Sequence, residues 1–139
     1  MSEQLSNAEI TRKVIDHVSN YEFDQINQYI HEDIVIEVPY QAFHVGPMRR
    51  GKELFMSGMQ VVPSVFKKFK LNIHELYDCP GQDVVVFEQT SMAIFAANGA
   101  TYQNRYIMVF GFRDGKINLW REFFNPELMN AGWRFMLDA

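Results

Sequence analysis

A carboxylate set among aromatic rings is the most visible chemistry in this chain. Residues 102–126 read YQNRYIMVFGFRDGKINLWREFFNP, and the pair Arg121–Glu122 interrupts Trp120, Phe123 and Phe124. Burying an ionised carboxylate alone is expensive, so Glu122 is either held by a partner or kept for proton transfer. Aromatic walls would desolvate it and lift its pKa toward neutrality, as an acid/base group requires. The alternative is a structural carboxylate held by Arg105 or another polar neighbour. Tyr106 and Asn104 could hydrogen-bond an oxygen of a bound molecule beside it, or could simply satisfy Glu122.

Two more polar candidates lie upstream. Glu88 sits in VVVFEQTSM, where one strand register turns Val84, Val86, Glu88 and Thr90 inward and the other turns Val85, Phe87, Gln89 and Ser91 inward. His44 occupies residues 39–50, whose Pro39, Gly46 and Pro47 mark a loop bordering a cavity mouth. Histidine there suits proton transfer near neutral pH, with plain exposure as the bland reading. Tyr40 and Phe43 in that loop would gate the entrance or shield the core edge. His17 and His31 fit helix surfaces or ends and are given no role.

Other chemistries find little support. No HxH, HExxH or CxxC spacing occurs, and the four histidines sit in separate elements, so no metal is expected. GxSxG and phosphate-cradling glycine loops are absent, and no cofactor is expected. Cys79 is the single cysteine, which precludes an internal disulfide. It has no sequence-adjacent cation to make it a nucleophile. The net charge of -4 gives no reason to expect nucleic acid or an anionic membrane as partner. The short basic runs at 49–52 and 67–70 read as solvated faces. Without a signal-like start or a membrane-length apolar run, a cytoplasmic protein is expected.

The elements that must position these groups follow from spacing. At 139 residues the chain fits a single domain over 1–139, and its twelve Phe and six Tyr supply wide apolar walls. Ser6-Asn7-Ala8-Glu9 has capping-box spacing, and Ile10, Val14, Val18 and Tyr21 follow at helical intervals. A second short helix is predicted from Tyr21 to Asn27, then a strand at Ile34–Val38 stopped by Pro39. Lys52–Val62 reads as a third helix that Pro63 ends or kinks. Four long strands follow at about 67–77, 83–96, 101–113 and 116–125. Asn98-Gly99 and Asp114-Gly115 are hairpin signals, because both central residues of a type I′ turn need positive φ. The tail after Pro126 could form a short closing helix. Helices followed by an antiparallel meander indicate an α+β fold whose curled sheet encloses an apolar pocket.

Three segments, FDQINQYIHEDIVIEVP, RRGKELF and the 102–126 run, resemble the NTF2-like superfamily. The last is most similar to the SnoaL-like group, including the PhzA/PhzB phenazine-biosynthesis type. The resemblance implies a conical α+β barrel with three N-terminal helices, a deep cavity, and a homodimer formed through the outer face of the sheet. The scaffold hosts dehydratases, isomerases, cyclases, hydrolases and non-catalytic binders. The ketosteroid-isomerase base and oxyanion donors land on Val38, Val14 and Met108, all apolar, so that mechanism is excluded. In the phenazine-type group a glutamate of the matching REF segment is the acid/base residue, which gives Glu122 that role. Its companion histidine falls near Lys70, and the nearest histidine is His74.

The resemblance also turns Asn104, Tyr106, Met108, Phe110 and Phe112 inward, with Asn118, Trp120, Glu122 and Phe124 facing them and Arg121 outward. The catalytic set expected is therefore Glu122, Tyr106 and His44. The substrate-binding set is Val38, Tyr40, Glu88, Asn104, Met108, Phe110, Trp120 and Phe124. The function expected is a cofactor-independent acid/base enzyme, an isomerase, dehydratase or cyclase, acting on a small apolar cyclic or aromatic molecule. The alternative is a non-catalytic carrier with the same pocket.

Overall fold

The computed structural model describes residues 4–40 and 48–128. Helix α1 (Asn7–Ser19) opens with the anticipated capping box: Ser6 Oγ accepts from the Glu9 N–H at 3.1 Å, and the Glu9 carboxylate accepts from the Ser6 N–H at 3.3 Å. A 3-10 helix (Phe23–Tyr29) follows, then strand β1 (Ile30–Glu37) and a short strand β2 (Met48–Arg50). Helix α2 (Lys52–Val65) leads into the long strands β3 (Phe66–Cys79), β4 (Val84–Phe95), β5 (Thr101–Arg113) and β6 (Lys116–Phe124).

The α+β architecture is as expected, and the sheet is curled but unclosed, six strands in the order β2-β1-β6-β5-β4-β3. It is not wholly antiparallel. β1 runs parallel to β6, which ties the first strand to the last and places the 3-10 helix and α2 beside the site strand. β2 was missed within the loop because three residues hydrogen-bonded to β1 carry no periodicity of their own. α2 also runs past Pro63 to Val65, one turn further than predicted. Only a single backbone donor is lost there, and the Phe66 N–H still reaches Val62 O to close the helix.

The two hairpin signals resolve differently. Asp114 and Gly115 both adopt positive φ, 56° and 73°, the conformation of a type I′ turn. At the other hairpin only Gly99 does, at 72°, and a longer loop forms, with the Gly99 N–H on Phe95 O at 2.9 Å.

The helices lie over the inner face. Ile10, Val14, Ile15 and Val18 of α1 and Phe55 of α2 bury against Val85, Phe87, Met108, Phe110 and Trp120 of the sheet. Each large side chain so buried contributes roughly 1.5–3 kcal/mol, which holds the helices over the sheet. Tyr21 Oη donates to Phe66 O at 2.7 Å and anchors the end of α1 to the start of β3.

One irregularity matters for the site. The β5–β6 register shifts between Gly111 and Phe112, so that Gly111 faces Leu119 while Phe112 faces Ile117. Asn118, expected inward, occupies this bulge, and Ile117 takes the core position. A Cβ on Gly111 would lie 3.0 Å from Leu119 Cβ and 3.1 Å from Asn118 Oδ1, so a larger residue there would have to push β6 back by a few tenths of an ångström. Beyond the bulge, alternation resumes with Trp120, Glu122 and Phe124 inward.

Candidate active site

Glu122 lines an apolar hollow of about 170 Å³ between the helices and the sheet. Val18, Met59, Val62, Phe66, Phe69 and Leu71 supply its greasy walls, and its polar groups are Gln89, Tyr106 and Glu122. A second hollow of about 190 Å³, bounded by Ile36, Val38 and Phe55, shares Met59, Trp120 and Glu122 as a common wall. Each is close to the ~150 Å³ that holds a benzene ring in an engineered protein cavity. A larger groove of about 630 Å³ beside Asp24, Glu32, Lys52 and Glu53 is open and polar, and its charges are solvated.

No cation holds Glu122 among the described residues. Trp120 Nε1–H donates to its Oε1 at 2.7 Å, from two residues earlier on the same face. Glu122 is partly exposed and lines both hollows. Burial dominates and pushes its pKa up from the usual 4.5, against the opposing effect of the indole hydrogen bond. Arg105 is exposed on the far face of β5. Arg121 turns outward, as expected, and its Nε donates to Glu37 Oε2 at 2.5 Å. The two halves of the Arg-Glu pair thus serve opposite faces of one strand.

Tyr106 is buried at the end of a directed hydrogen-bond chain that begins at Asn104. The Asn125 main chain orients the Asn104 amide: its Nδ2 donates to Asn125 O at 2.9 Å, and its Oδ1 accepts from the Asn125 N–H at 3.2 Å. The second Nδ2 hydrogen goes to Tyr102 Oη at 2.7 Å. Tyr102 then satisfies its own proton by donating to Tyr106 Oη, 3.1 Å away. This leaves the Tyr106 hydroxyl proton to reach Ser91 Oγ at 3.0 Å or an acceptor in the hollow. Burial raises the Tyr106 pKa first, with Glu122 adding to the rise, so Tyr106 is a neutral donor. Tyr102 is pushed up to about 12, chiefly by burial.

Several expected contacts are displaced. Asn104 belongs to the structural chain above and does not line the hollow, because the turn out of β6 consumes its amide. Met108, Phe110 and Phe124 are buried in the wall behind the site; Phe110 packs tilted against Trp120 with ring centroids 4.5 Å apart, and Phe124 against Tyr106 at 5.4 Å. Val38 borders the second hollow. Tyr40 is 62% exposed and packs edge-on against Phe123, since Phe123 points to the outer face.

Glu88 also lies on the outer face, accepting from Tyr77 Oη at 2.6 Å. β4 adopts the other register, with Val85, Phe87, Gln89 and Ser91 buried. His44 and Phe43 fall outside the described residues. The position of the phenazine-type histidine holds Lys70, whose Nζ reaches Asn20 Oδ1 at 3.2 Å, and His74 Nε2 meets Thr90 Oγ1 at 2.8 Å away from the hollow.

Gln89 is the site residue that sequence reasoning left unassigned. It appeared only as a member of one of two registers, and the burial of its neighbours decides between them. A polar side chain flanked at two-residue spacing by Phe87 and Ser91 was the available signal.

The helices packed on a curled, unclosed sheet are a fold shared with known proteins. The sequence profile of the SnoaL-like domain matches residues 11–120, and the chain belongs to that family. A Bacillus subtilis protein described as a proposed isomerase superimposes with a TM-score of 0.81 at 20% identity, covering 94% of this chain and 97% of its own. An epoxide hydrolase of the LEH-like type from M. tuberculosis gives 0.71 at 21% identity, covering 94% and 92%. IdmH of Streptomyces antibioticus, a proposed polyketide cyclase, gives 0.75 at 15% identity, covering 94% and 99%. Comparison with curated proteins finds no match. At these identities the likeness is one of fold. Among the described residues no helix is long and apolar enough to cross a membrane.

Proposed function

We propose that this chain is a cofactor-independent acid/base enzyme of the isomerase, dehydratase or cyclase kind, acting on a small apolar cyclic or aromatic molecule. One observation carries the reading: among the described residues Glu122 is a carboxyl group with a single neutral donor and no cation, and it lines two apolar hollows. A protein gains nothing in stability from such a group, so its retention in a cavity wall points to function. The phenazine-type resemblance of the REF segment assigns the same residue.

The chemistry follows from the geometry. Ionised Glu122, made a stronger base by desolvation, removes a proton from carbon next to a carbonyl. Negative charge moves to the carbonyl oxygen, where the Tyr106 hydroxyl donates a hydrogen bond. The carboxylic acid so formed returns the proton to another carbon in isomerisation, or to a departing hydroxyl in dehydration. Dry walls keep water from competing for the enolate.

The test is exchange of the α-protons of cyclohexanone in D2O, followed by NMR. The protein accelerates exchange, and Glu122→Gln lowers the catalysed rate by about 10²–10⁴-fold while the fold is kept. Equal rates for the two proteins sink the assignment. The second reading, a non-catalytic binder, draws on the apolar identity of Val14, Val38 and Met108, which leaves Glu122 the one ionisable carboxyl in either hollow. It requires that ketone binding persist with no accelerated exchange.

A further inference from the structure

One polar side chain lining the hollow is used by neither the fold nor the proposed proton transfer. Gln89 is 3% exposed, and its Oε1 has no hydrogen-bond partner among the described residues. The side chain lines the 170 Å³ hollow together with Tyr106 and Glu122. Its strand neighbours are Ile73 on one side and Tyr106 on the other, so Gln89 and Tyr106 form one cross-strand row on the inner face. The large majority of buried side-chain polar atoms in folded proteins are satisfied, and one left unmet bears its full desolvation cost. A solitary acceptor beside a directed tyrosine donor has a defined complement. Such a complement presents an O–H or N–H to Gln89 and an acceptor oxygen to Tyr106.

We infer that Gln89 is a specificity-determining residue, and that the hollow selects ring molecules bearing a hydroxyl or enol over plain hydrocarbons of equal size. On binding, the Gln89 amide turns its buried Oε1 toward the hollow to accept the ligand's O–H, while Tyr106 Oη donates to its oxygen function. A glutamine suits this role better than a second carboxylate. It stays neutral at every pH and accepts a hydrogen bond without competing with Glu122 for the substrate's proton. The inference rests on the proposed function for the place of the site, but it is read by binding alone, so either can fail without the other.

Phenol and toluene have nearly the same shape and differ by the hydroxyl, which makes them the probes. Their dissociation constants are measured by ligand-observed NMR on the intact chain and on Gln89→Met, which keeps side-chain length. Relative to the parent protein, the substitution shifts the phenol-to-toluene preference about tenfold toward toluene, the scale of one desolvated hydrogen bond. The same shift is expected when Gln89→Met is made in a Glu122→Gln background. An unchanged preference overturns the inference. So does failure of the parent protein to bind either ring, or loss of the phenol preference in Glu122→Gln alone, which would make Glu122 the acceptor.

Thermal unfolding without ligand supplies a second readout and guards against a poorly packed variant. Removing an unmet amide raises the Tm of Gln89→Met, or of Gln89→Leu should methionine pack badly, by about 2–6 °C. A lowered Tm in both variants shows an amide already satisfied in the free protein and equally overturns the assignment.

Discussion

Glu88 and Glu122 receive almost the same hydrogen bond and live in opposite surroundings. Tyr77 Oη donates to Glu88 at 2.6 Å on the outer face of the sheet, and Trp120 Nε1 donates to Glu122 at 2.7 Å on the inner face. The Tyr77–Glu88 pair lies at the solvent-facing surface, with Tyr77 49% exposed. Glu122 lines the apolar hollows, and burial raises its pKa even though the Trp120 hydrogen bond works in the other direction. One neutral hydrogen bond therefore does not replace the several that water gives a carboxylate. For Glu122 burial on the inner face raises the pKa. Strand register, a property of the fold, decides which glutamate is placed against the hollows.

The contrast extends to the tyrosines and can be broken there first. Tyr106→Phe removes the hydroxyl at the end of the Asn104–Tyr102 chain and should lower catalysed ketone exchange about 10²-fold, the range found for single oxyanion donors. Tyr77→Phe removes a hydroxyl of similar contact length on the outer face and should leave exchange within twofold. The rates are compared at temperatures where both variants remain folded. Equal effects of the two substitutions would show that the inner face confers no special role on its donors.

Most of the fold was legible because its signals are local and agree with one another. The Ser6–Glu9 capping box, the Asp114-Gly115 turn and the alternation of Tyr102, Asn104, Tyr106, Met108 and Phe110 each encode their own geometry. Glu122 and Tyr106 were placed together by the family resemblance, which turned both strands' faces inward, and β6 does return along β5 with Met108 opposite Glu122. What escaped depends on partners remote in sequence. β2 exists only against β1, and the bulge at Asn118 depends on the close approach of Gly111. Asn104 looks like a pocket residue until Asn125 arrives, 21 positions later, to claim its amide. Glu88 and Gln89 were indistinguishable because VVVF is apolar in both registers, and only the burial of Phe87 and Ser91 settles which is inside.

The next discriminator is pH. A carboxyl whose folded pKa lies above its unfolded value binds its proton in the native state while the unfolded chain has already released it. Any stability it contributes is complete below about pH 4.5, the unfolded value, and is lost as pH rises through the folded pKa. Thermal unfolding of the parent protein should show this decline above pH 4.5, and Glu122→Gln should remove that component and leave the variant relatively more stable toward neutrality. A difference between the two proteins that stays constant across the range would mean that Glu122 titrates as an ordinary surface acid.

Glu88→Gln carries the smallest expected effect and the most pointed meaning. Its carboxylate exchanges a hydrogen bond with Tyr77 for one with water at little net cost, as is usual for exposed polar pairs, so stability should change by less than about 0.5 kcal/mol. Catalysed exchange and phenol binding should be unaltered, since the side chain points away from both hollows. Denaturant unfolding and the ketone exchange assay check this directly. A loss of exchange in Glu88→Gln comparable to that in Glu122→Gln would require β4 to turn its other face inward. That register would expel Gln89 from the hollow and expose Phe87, so one measurement on an outer-face glutamate tests the placement of every polar group inside.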